Sequence, residues 1–168
     1  MKALILTRVE TSEEVKALVN NSNIVKIAVN HADYIADYRI FNDWGYWRSF
    51  LCYPEKMYTN SIAKLPAEYK DRFSLFTLSN RPNTKDKNKL YMQSSSLTLA
   101  IDFAIKLGAK DILLIADGDV GTSGFLPQLF IPQMNIAFKK LRKHANIYMF
   151  QKGFYDLPVM SIKEFYEL

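Results

Sequence analysis

One short segment limits the fold of this chain more than any other. Residues 111–116, DILLIA, form a run that is too short for a buried helix and is apolar at every position after the first. As a strand, such a run needs apolar cover on both faces of its sheet, as in a parallel sheet between two layers of helices. The segment therefore predicts an α/β protein with a buried, mostly parallel central sheet.

The rest of the chain alternates between strand-like and helix-like patterns. Short apolar runs predict further strands at residues 3–7, 24–29, 37–43, 56–59, 73–78 and 146–150. Helix ends are predicted at Thr11 with Glu14, at Ser94 or Ser95, at Gly108, and at Ser161 with Glu164. With 168 residues, of which 49% are hydrophobic, the chain is predicted to form one globular domain over residues 1–168.

The net charge of +5 gives a nonspecific attraction for polyanions and phosphorylated ligands. Lysine and arginine are scattered except in RPNTKDKNK (81–89), a predicted polar loop, and KKLRKH (139–144), the end of a predicted helix. Cations are favoured at a helix end by the macrodipole, so a solvated helix end explains the second segment as well as a nucleic-acid patch does. Neither segment has the basic and aromatic signature of an RNA-binding sheet. The charge pattern thus gives no strong nucleic-acid signal.

Several classes of protein and site are disfavoured. No apolar run approaches the ~20 residues of a membrane span, and the chain does not open on a signal-peptide pattern. The single cysteine, Cys52, excludes an internal disulfide framework, and the two distant histidines supply no zinc cluster. We therefore expect a soluble, cytoplasmic protein without a transmembrane segment.

Ligands of parallel α/β sheets bind beyond the carboxyl ends of the strands. The candidate site residues are thus the polar residues after each predicted strand: Thr7 and Arg8, Asn30 and His31, Asn42 and Asp43, Ser79 and Asn80, and Asp117 and Asp119. His31, directly after Asn30, is better placed for a catalytic role than His144, which ends a predicted helix. Arg8 is either a bidentate phosphate ligand or an exposed loop cation.

Two more motifs point to phosphate and metal chemistry. Ser94, Ser95 and Ser96 open a predicted helix, where hydroxyls, free N–H groups and the helix dipole favour a phosphate; the alternative is an ordinary N-cap. In ADGDV, Asp117 and Asp119 stand two apart after a buried strand, an arrangement that suits Mg²⁺ held against a diphosphate. The alternative for this pair is a glycine-containing turn. Mg²⁺ is the one cofactor that the sequence suggests.

The order of these segments resembles that of known families. The segments LTLAIDFAIKLGAKDILLIADGD (97–119), DYRIFND (37–43) and NIYMFQKGFYDLPVMSIKEFYEL (146–168) are similar to segments of the 6-hydroxymethylpterin pyrophosphokinase-like (MptE-like) proteins and of the related Campylobacter-type sialyltransferases. The resemblance covers most of the chain through short motifs. It implies a Rossmann-like three-layer sandwich that binds a nucleotide and transfers a sugar or a diphosphate.

The resemblance also implies roles for single residues. Asn30, Asn42 and the turn at Ser95 and Ser96 look like the ribose and phosphate contacts of the sialyltransferases, which use CMP-sugars without a metal. Asp117 or Asp119 matches the acidic residue at a strand end. The chain departs from the families in its first loop, TRVETSEE, which has no glycine. It departs again in residues 121–133, which lack the lid histidine of the sialyltransferase-like members.

Two functions are compatible with these residues. The first is a glycosyl- or diphosphotransferase that uses a nucleotide-linked donor, with a strand-end carboxylate as base or metal ligand. The second is a noncatalytic or degenerate domain that keeps the fold and binds a nucleotide or a protein partner. The strand-end Asn, Ser and Asp residues favour the first, and the missing lid histidine favours the second. The transferase is the working hypothesis, with donor, acceptor and oligomeric state, including a homo-oligomer, left open.

Overall fold

The computed structural model describes residues 1–7, 11–42, 47–60, 67–93, 95–116 and 127–168. Their strands are β1 (Lys2–Leu6), β2 (Val25–Val29), β3 (Tyr38–Phe41), β4 (Lys56–Thr59), β5 (Phe73–Leu75), β6 (Thr77–Ser79), β7 (Lys89–Tyr91), β8 (Asp111–Ile115) and β9 (Asn146–Met149). Their helices are α1 (Glu13–Asn20), α2 (Ser96–Lys106), α3 (Pro127–Leu141) and α4 (Ile162–Glu167), with short 3₁₀ helices at Trp47–Phe50 and Ala67–Arg72. In this described part of the chain, every helix is too short or too polar to cross a membrane.

Seven strands form one parallel sheet in the order β5-β4-β3-β2-β1-β8-β9, and β6 and β7 form a separate parallel pair. Strand β1 lies between β2 and β8, and its Ala3 is opposite Val25 of β2 on one side and Ile112 of β8 on the other. From β1 the chain moves outward to β5 and later returns to the other side of β1 at β8. The topological switch point is therefore between β1 and β8. The predicted fold class, an α/β Rossmann-like three-layer sandwich with a parallel central sheet, is confirmed.

Apolar clusters cover both faces of the sheet. In β8, Ile112 and Leu114 belong to the cluster that packs with α2 and α3, whereas Leu113 and Ile115 belong to the cluster that packs with α1 and α4. All four side chains are fully buried, and each burial stabilises the fold by roughly 1.5–3 kcal/mol. A smaller cluster covers the outer strands β3 to β5 with Phe41, Phe50, Met57 and Phe73. The expectation that DILLIA is covered on both faces is thus confirmed.

Helix α2 has the predicted ends. Ser95 has an extended backbone, and its hydroxyl accepts a hydrogen bond from the Leu97 N–H at 3.1 Å, which makes Ser95 the N-cap. Gly108 follows the last turn with a φ of +99°, a conformation that glycine adopts without the clash of a Cβ. Residues 97–105 are all buried, so α2 lies inside the protein rather than on its surface.

The single strand predicted at residues 73–78 is wrong. The Phe76 N–H donates to the Thr59 carbonyl at 3.0 Å in the main sheet, and the next N–H, that of Thr77, donates to the Asn88 carbonyl at 2.7 Å. The buried Phe76 side chain anchors the chain at this change of sheet. Hence β5 and β6 belong to different sheets, and β7 occupies the end of the predicted polar loop.

The capping box predicted at Thr11 and Glu14 is also wrong. Ser12 is the N-cap of α1, and its hydroxyl accepts from the Val15 N–H at 3.3 Å. The Thr11 hydroxyl instead pairs with the Tyr34 hydroxyl at 2.7 Å, because Tyr34 packs with the α1 core. The Thr11 side chain, which the local pattern predicts as a helix cap, is therefore used in a tertiary contact with Tyr34.

The second capping box is confirmed and yields a testable prediction. Ser161 and Glu164 each bond to the backbone N–H of the other at the start of α4, at 3.2 and 2.8 Å. Hydrogen bonds from Ser161, from its side chain first and its backbone N–H second, lower the pKa of Glu164 from its ordinary value of 4.5. This carboxylate therefore stabilises the fold above pH 4.5, and the contribution disappears as the pH falls through the lowered pKa.

We expect Ser161→Ala to raise the pKa of Glu164 towards its ordinary value. The carboxyl carbon of Glu164, followed by NMR during a pH titration, measures this change. Ser12→Ala, which removes the cap of α1 instead, should leave the Glu164 midpoint where it is. An unchanged midpoint in Ser161→Ala would show that the capping box does not hold the carboxylate in solution.

Candidate functional site

Three asparagines stand directly after three neighbouring strands of the main sheet. Asn30 follows β2, Asn42 follows β3 and Asn60 follows β4. In β3 and β4, Phe41 and Thr59 are register partners, so Asn42 and Asn60 come next at the same level. The Asn30 N–H donates to the Ile40 carbonyl at 3.0 Å, which fixes Asn30 to the end of β3. The three residues therefore line one stretch of the carboxyl edge of the sheet.

The side-chain oxygens of these asparagines are buried without a hydrogen-bond donor among the described residues. The Oδ1 atoms of Asn30, Asn42 and Asn60 are buried and accept no hydrogen bond from any described residue. An unsatisfied buried acceptor costs about 1–3 kcal/mol, and folded proteins contain few of them. Three at consecutive strand ends, at the edge where parallel sheets bind ligands, indicate oxygens placed to accept from a bound molecule.

A buried ion pair holds the turn that carries Asn30. Arg39 of β3 is fully buried and bonds to the Glu55 carboxylate at 2.7 Å. The same guanidinium donates to the carbonyls of Asn30, at 2.5 Å, and Ala32, at 3.1 Å. It also stacks on the Tyr53 ring, 3.5 Å from its centroid. Arg39 is thus the residue that positions the Asn30 turn.

Asn30 itself has a left-handed backbone, with a φ of +51°. Asparagine adopts this conformation more readily than most residues with a Cβ. The left-handed turn ends β2, and it lets both the Asn30 and the Ala32 carbonyls face the Arg39 guanidinium. The conformation is therefore maintained by a tertiary hydrogen-bond network and by the residue type.

His31 lies in a polar and aromatic group at the same edge. Its ring stacks on Phe50 at a centroid distance of 4.2 Å, and Phe50 stacks in turn on Phe41 at 3.9 Å. His31 Nδ1 is 3.4 Å from the Tyr53 hydroxyl, and its Nε2 is 3.3 Å from the Ser49 hydroxyl. Burial raises the pKa of Tyr53, and the Arg39 charge opposes that rise. The ring can act as a base if a substrate hydroxyl replaces that of Ser49 at Nε2 while Tyr53 holds Nδ1, so the catalytic role stays a prediction with a defined geometry.

The serine turn is partly described. Ser95 caps α2, and Ser96 is the first residue of the helix. Helix α2 leads through Gly108 into the amino end of β8, so the helix is antiparallel to the strands and its start points towards the carboxyl edge. The N-cap alternative is therefore present in the structure. The N–H groups of Ser95, Leu97 and Thr98 bond within the turn, so the phosphate alternative rests on the helix dipole and stays a prediction.

Of the other predicted site residues, Arg8, Asp43, Ser94, Asp117 and Asp119 lie outside the described residues. The magnesium hypothesis concerns Asp117 and Asp119 and so stays a prediction. Within the described ranges, no group of three or more His, Cys, Asp or Glu side chains is arranged to hold a metal ion. Cys52 is exposed, and its thiol donates to the Ser49 carbonyl at 3.3 Å.

Two surface grooves lie at the opposite edge of the sheet. One, of about 480 Å³, is formed between α1 and α4 and includes Leu18, Ile24 and Tyr166. Another, of about 580 Å³, lies at the amino ends of β2 and β3 and includes Asn23 and Asp37. Neither groove is lined by a residue that follows a strand. We assign the candidate site to the strand-end asparagines, because unsatisfied buried acceptors indicate a ligand more directly than a surface concavity does.

Sequence reasoning identified Asn30, Asn42 and His31 but missed four contributors. Asn60 was available from the strand-end rule, since it follows the predicted strand KMYT as Asn42 follows β3. Ser49 and Tyr53 carry no sequence signal for contact with His31. The role of Arg39 was hidden because an arginine in a short strand usually faces solvent, whereas this side chain is fully buried.

Comparison with known proteins does not identify the chain: no protein-family model, curated protein or solved structure matches it. The resemblance to the MptE-like proteins and the sialyltransferases therefore stays a hypothesis that rests on the quoted motifs.

Proposed function

We propose that the carboxyl edge of the sheet binds a nucleotide and that the protein is a glycosyl- or diphosphotransferase with a nucleotide-linked donor. The observation that carries this proposal is the set of buried Oδ1 atoms of Asn30, Asn42 and Asn60, which have no donor among the described residues. An amide oxygen accepts hydrogen bonds, so the ligand must offer several O–H or N–H donors close together. Ribose hydroxyls and the exocyclic amino group of a base are donors of this kind.

The surroundings of the edge suit the phosphate part of such a ligand. The start of α2 at Ser95 and Ser96 presents the positive end of the helix dipole, which favours a phosphate. The resemblance to nucleotide-using families supports the same assignment, since it places ribose and phosphate contacts at Asn30, Asn42 and the serine turn.

The transfer itself needs a base for the acceptor. In this proposal His31 takes the proton of an acceptor hydroxyl while that oxygen forms a bond to the transferred sugar carbon or phosphorus. The bond from that atom to the leaving phosphate oxygen of the nucleotide breaks in the same step. Tyr53 orients the imidazole through Nδ1, and the acceptor hydroxyl takes the place of the Ser49 hydroxyl at Nε2. Asp117 and Asp119 are the alternative base, or the ligands of Mg²⁺ in a metal-assisted transfer.

Melting curves with nucleotides test the binding step. CMP, CDP, UDP, ADP, ATP and GTP are added with Mg²⁺ and again with EDTA, and a ligand that binds only the folded protein raises Tm. A shift that persists in EDTA indicates a metal-free CMP-sugar type of site, and one lost in EDTA indicates metal-assisted transfer. If no nucleotide shifts Tm even at millimolar concentration, the transferase is abandoned in favour of a structural or protein-binding role.

We expect Asn42→Ala and Asn60→Ala each to weaken nucleotide binding about tenfold, which equals about 1.4 kcal/mol. Each variant removes an acceptor that has no donor in the part of the chain that the structure describes, so the free energy of unfolding should not fall by the usual amount for a lost buried hydrogen bond. Isothermal titration calorimetry measures the affinity, and urea unfolding measures the stability.

The matched control is Asn23→Ala, an exposed asparagine at the amino-terminal edge. This variant should bind nucleotide as the wild type does. Equal losses in Asn23→Ala and Asn42→Ala, or unaltered affinity in both strand-end variants, would remove the asparagines from the site.

A further inference from the structure

The two basic segments of the sequence meet in the folded protein. The Asn83 side chain in residues 81–89 lies 3.3 Å from the His144 ring at the end of residues 139–144. Together the segments contain eight Lys or Arg and one Asp, a net charge of +7, whereas the whole chain carries +5. The remainder of the protein is therefore net negative by 2. The net positive charge of this chain is thus concentrated in residues 81–89 and 139–144.

Most of these cations are free to contact a partner. We call the following seven exposed side chains the basic surface: Arg81, Lys85, Lys87, Lys89, Lys139, Arg142 and Lys143. None of them forms an ion pair with a carboxylate of the described residues, where the ion pairs are those of Lys16 and Arg39. These seven cations repel one another, so a polyanion that covers the surface relieves the repulsion and lowers the free energy.

The loop of residues 81–89, which carries four of these cations, is held in place by hydrogen bonds to α2. The buried Asp102 carboxylate of α2 accepts from the Asn83 N–H at 2.6 Å. The Lys106 ammonium donates to the carbonyls of Thr84 and Asp86, both at 2.7 Å. The loop is thus preorganised, and a partner does not have to order it on binding.

The basic surface is separate from the strand-end asparagines. Residues 139–144 lead into the amino end of β9, where the Asn146 N–H donates to the Lys110 carbonyl just before β8. This is the amino-terminal edge of the sheet, opposite to the proposed nucleotide site. The basic surface therefore has no part in the transfer reaction proposed above. A ligand that binds this surface is a different molecule from the nucleotide.

The chemistry of the surface favours a nucleic acid over a bilayer. A lipid surface is bound by cations that stand beside exposed apolar side chains, which enter the interface. The two segments themselves offer no such anchor: Leu141 is fully buried, and the loop between Arg81 and Lys89 contains only Pro, Asn, Thr, Lys and Asp. One exposed apolar side chain, Ile136, shares a groove with Lys139, Arg142 and Lys143, but a single isoleucine buries too little apolar area to anchor the protein in a bilayer. Cations spread over two segments match the repeated single charges of a phosphodiester backbone better than one phosphate group.

We propose that the basic surface binds the phosphate backbone of nucleic acid without sequence specificity. Fluorescence anisotropy of a short labelled DNA duplex and of a single-stranded RNA of similar length tests this between about 50 and 200 mM salt. The variant Lys139→Gln/Arg142→Gln/Lys143→Gln should lose at least about tenfold in affinity near 0.1 M salt, and the slope of log K against log salt should fall by about 3. Lys85→Gln/Lys87→Gln/Lys89→Gln should behave alike.

The matched control is Lys70→Gln/Lys152→Gln/Lys163→Gln, which removes the same charge from exposed positions elsewhere. It should change affinity less than about threefold, because distant exposed charges are screened. Equal loss in the control would mean that only net charge matters, and absence of binding at low salt would end the proposal. Binding to anionic phosphatidylserine vesicles, but to neither nucleic acid, would overturn it in favour of a membrane. Melting curves confirm that all variants are folded.

Discussion

Replacing Arg39 with methionine will lower the free energy of unfolding by about 3–5 kcal/mol, because it leaves the Glu55 carboxylate buried without its partner. Both side chains are almost fully removed from water, with 0% of Arg39 and 4% of Glu55 exposed. The variant also withdraws the donor from the carbonyls of Asn30 and Ala32. Urea unfolding followed by circular dichroism measures the loss.

An exposed ion pair provides the control for Arg39. Lys16 contacts Glu13 at 3.3 Å and Asp33 at 3.9 Å, and these carboxylate side chains are 90% and 97% exposed. Lys16→Met should cost less than about 1 kcal/mol, since surface pairs contribute little. A double variant with Arg39→Met and Glu55→Leu should be more stable than Arg39→Met alone, because no unpaired charge is left buried. If Arg39→Met costs no more than Lys16→Met, the pair is not closed in solution.

We expect the second large effect from Asp102→Ala, at about 2–4 kcal/mol. The Asp102 side chain is fully buried in α2, and its two oxygens accept from the backbone N–H groups of Asn83, at 2.6 Å, and Tyr91, at 2.9 Å. Alanine leaves both donors without an acceptor and detaches the loop of the basic surface from α2. Asp71→Ala, at an exposed carboxylate, should change stability by less than about 0.5 kcal/mol.

The pH dependence of stability separates the charge of Asp102 from its hydrogen bonds. Burial raises the pKa of Asp102 above its ordinary value of 3.8, against the opposing effect of the Asn83 and Tyr91 N–H bonds. The folded protein thus binds this proton more tightly than the unfolded chain does. The resulting stabilisation is present below pH 3.8 and is lost as the pH rises through the raised pKa. Asp102→Asn should remove this slope from the unfolding free energy, and a slope that persists in the variant would assign it to another group.

The proposed site was partly accessible from the sequence. Asn30 and Asn42 follow from the rule that ligands collect after parallel strands, and the same rule applied to KMYT would have added Asn60. Their common property, a buried oxygen without a donor, was not accessible. Burial of one atom depends on which strands are neighbours and on which residues pack over the strand ends. Neither is encoded in the local sequence pattern.

The sequence by itself determined the elements and the class of the fold. The unbroken apolar run in DILLIA, the Ser95 cap and the Gly108 stop act within a few residues, so the side-chain pattern and the backbone preference of those residues are sufficient to predict them. Tertiary structure alone decided where the chain changes sheet at Phe76, which charges are paired and which basic segments meet. Arg39 and Glu55 are separated by 16 residues, and Asn83 and His144 by 61. Such contacts depend on the packing of the whole sheet, because hydrogen bonds and charges select partners by distance in space.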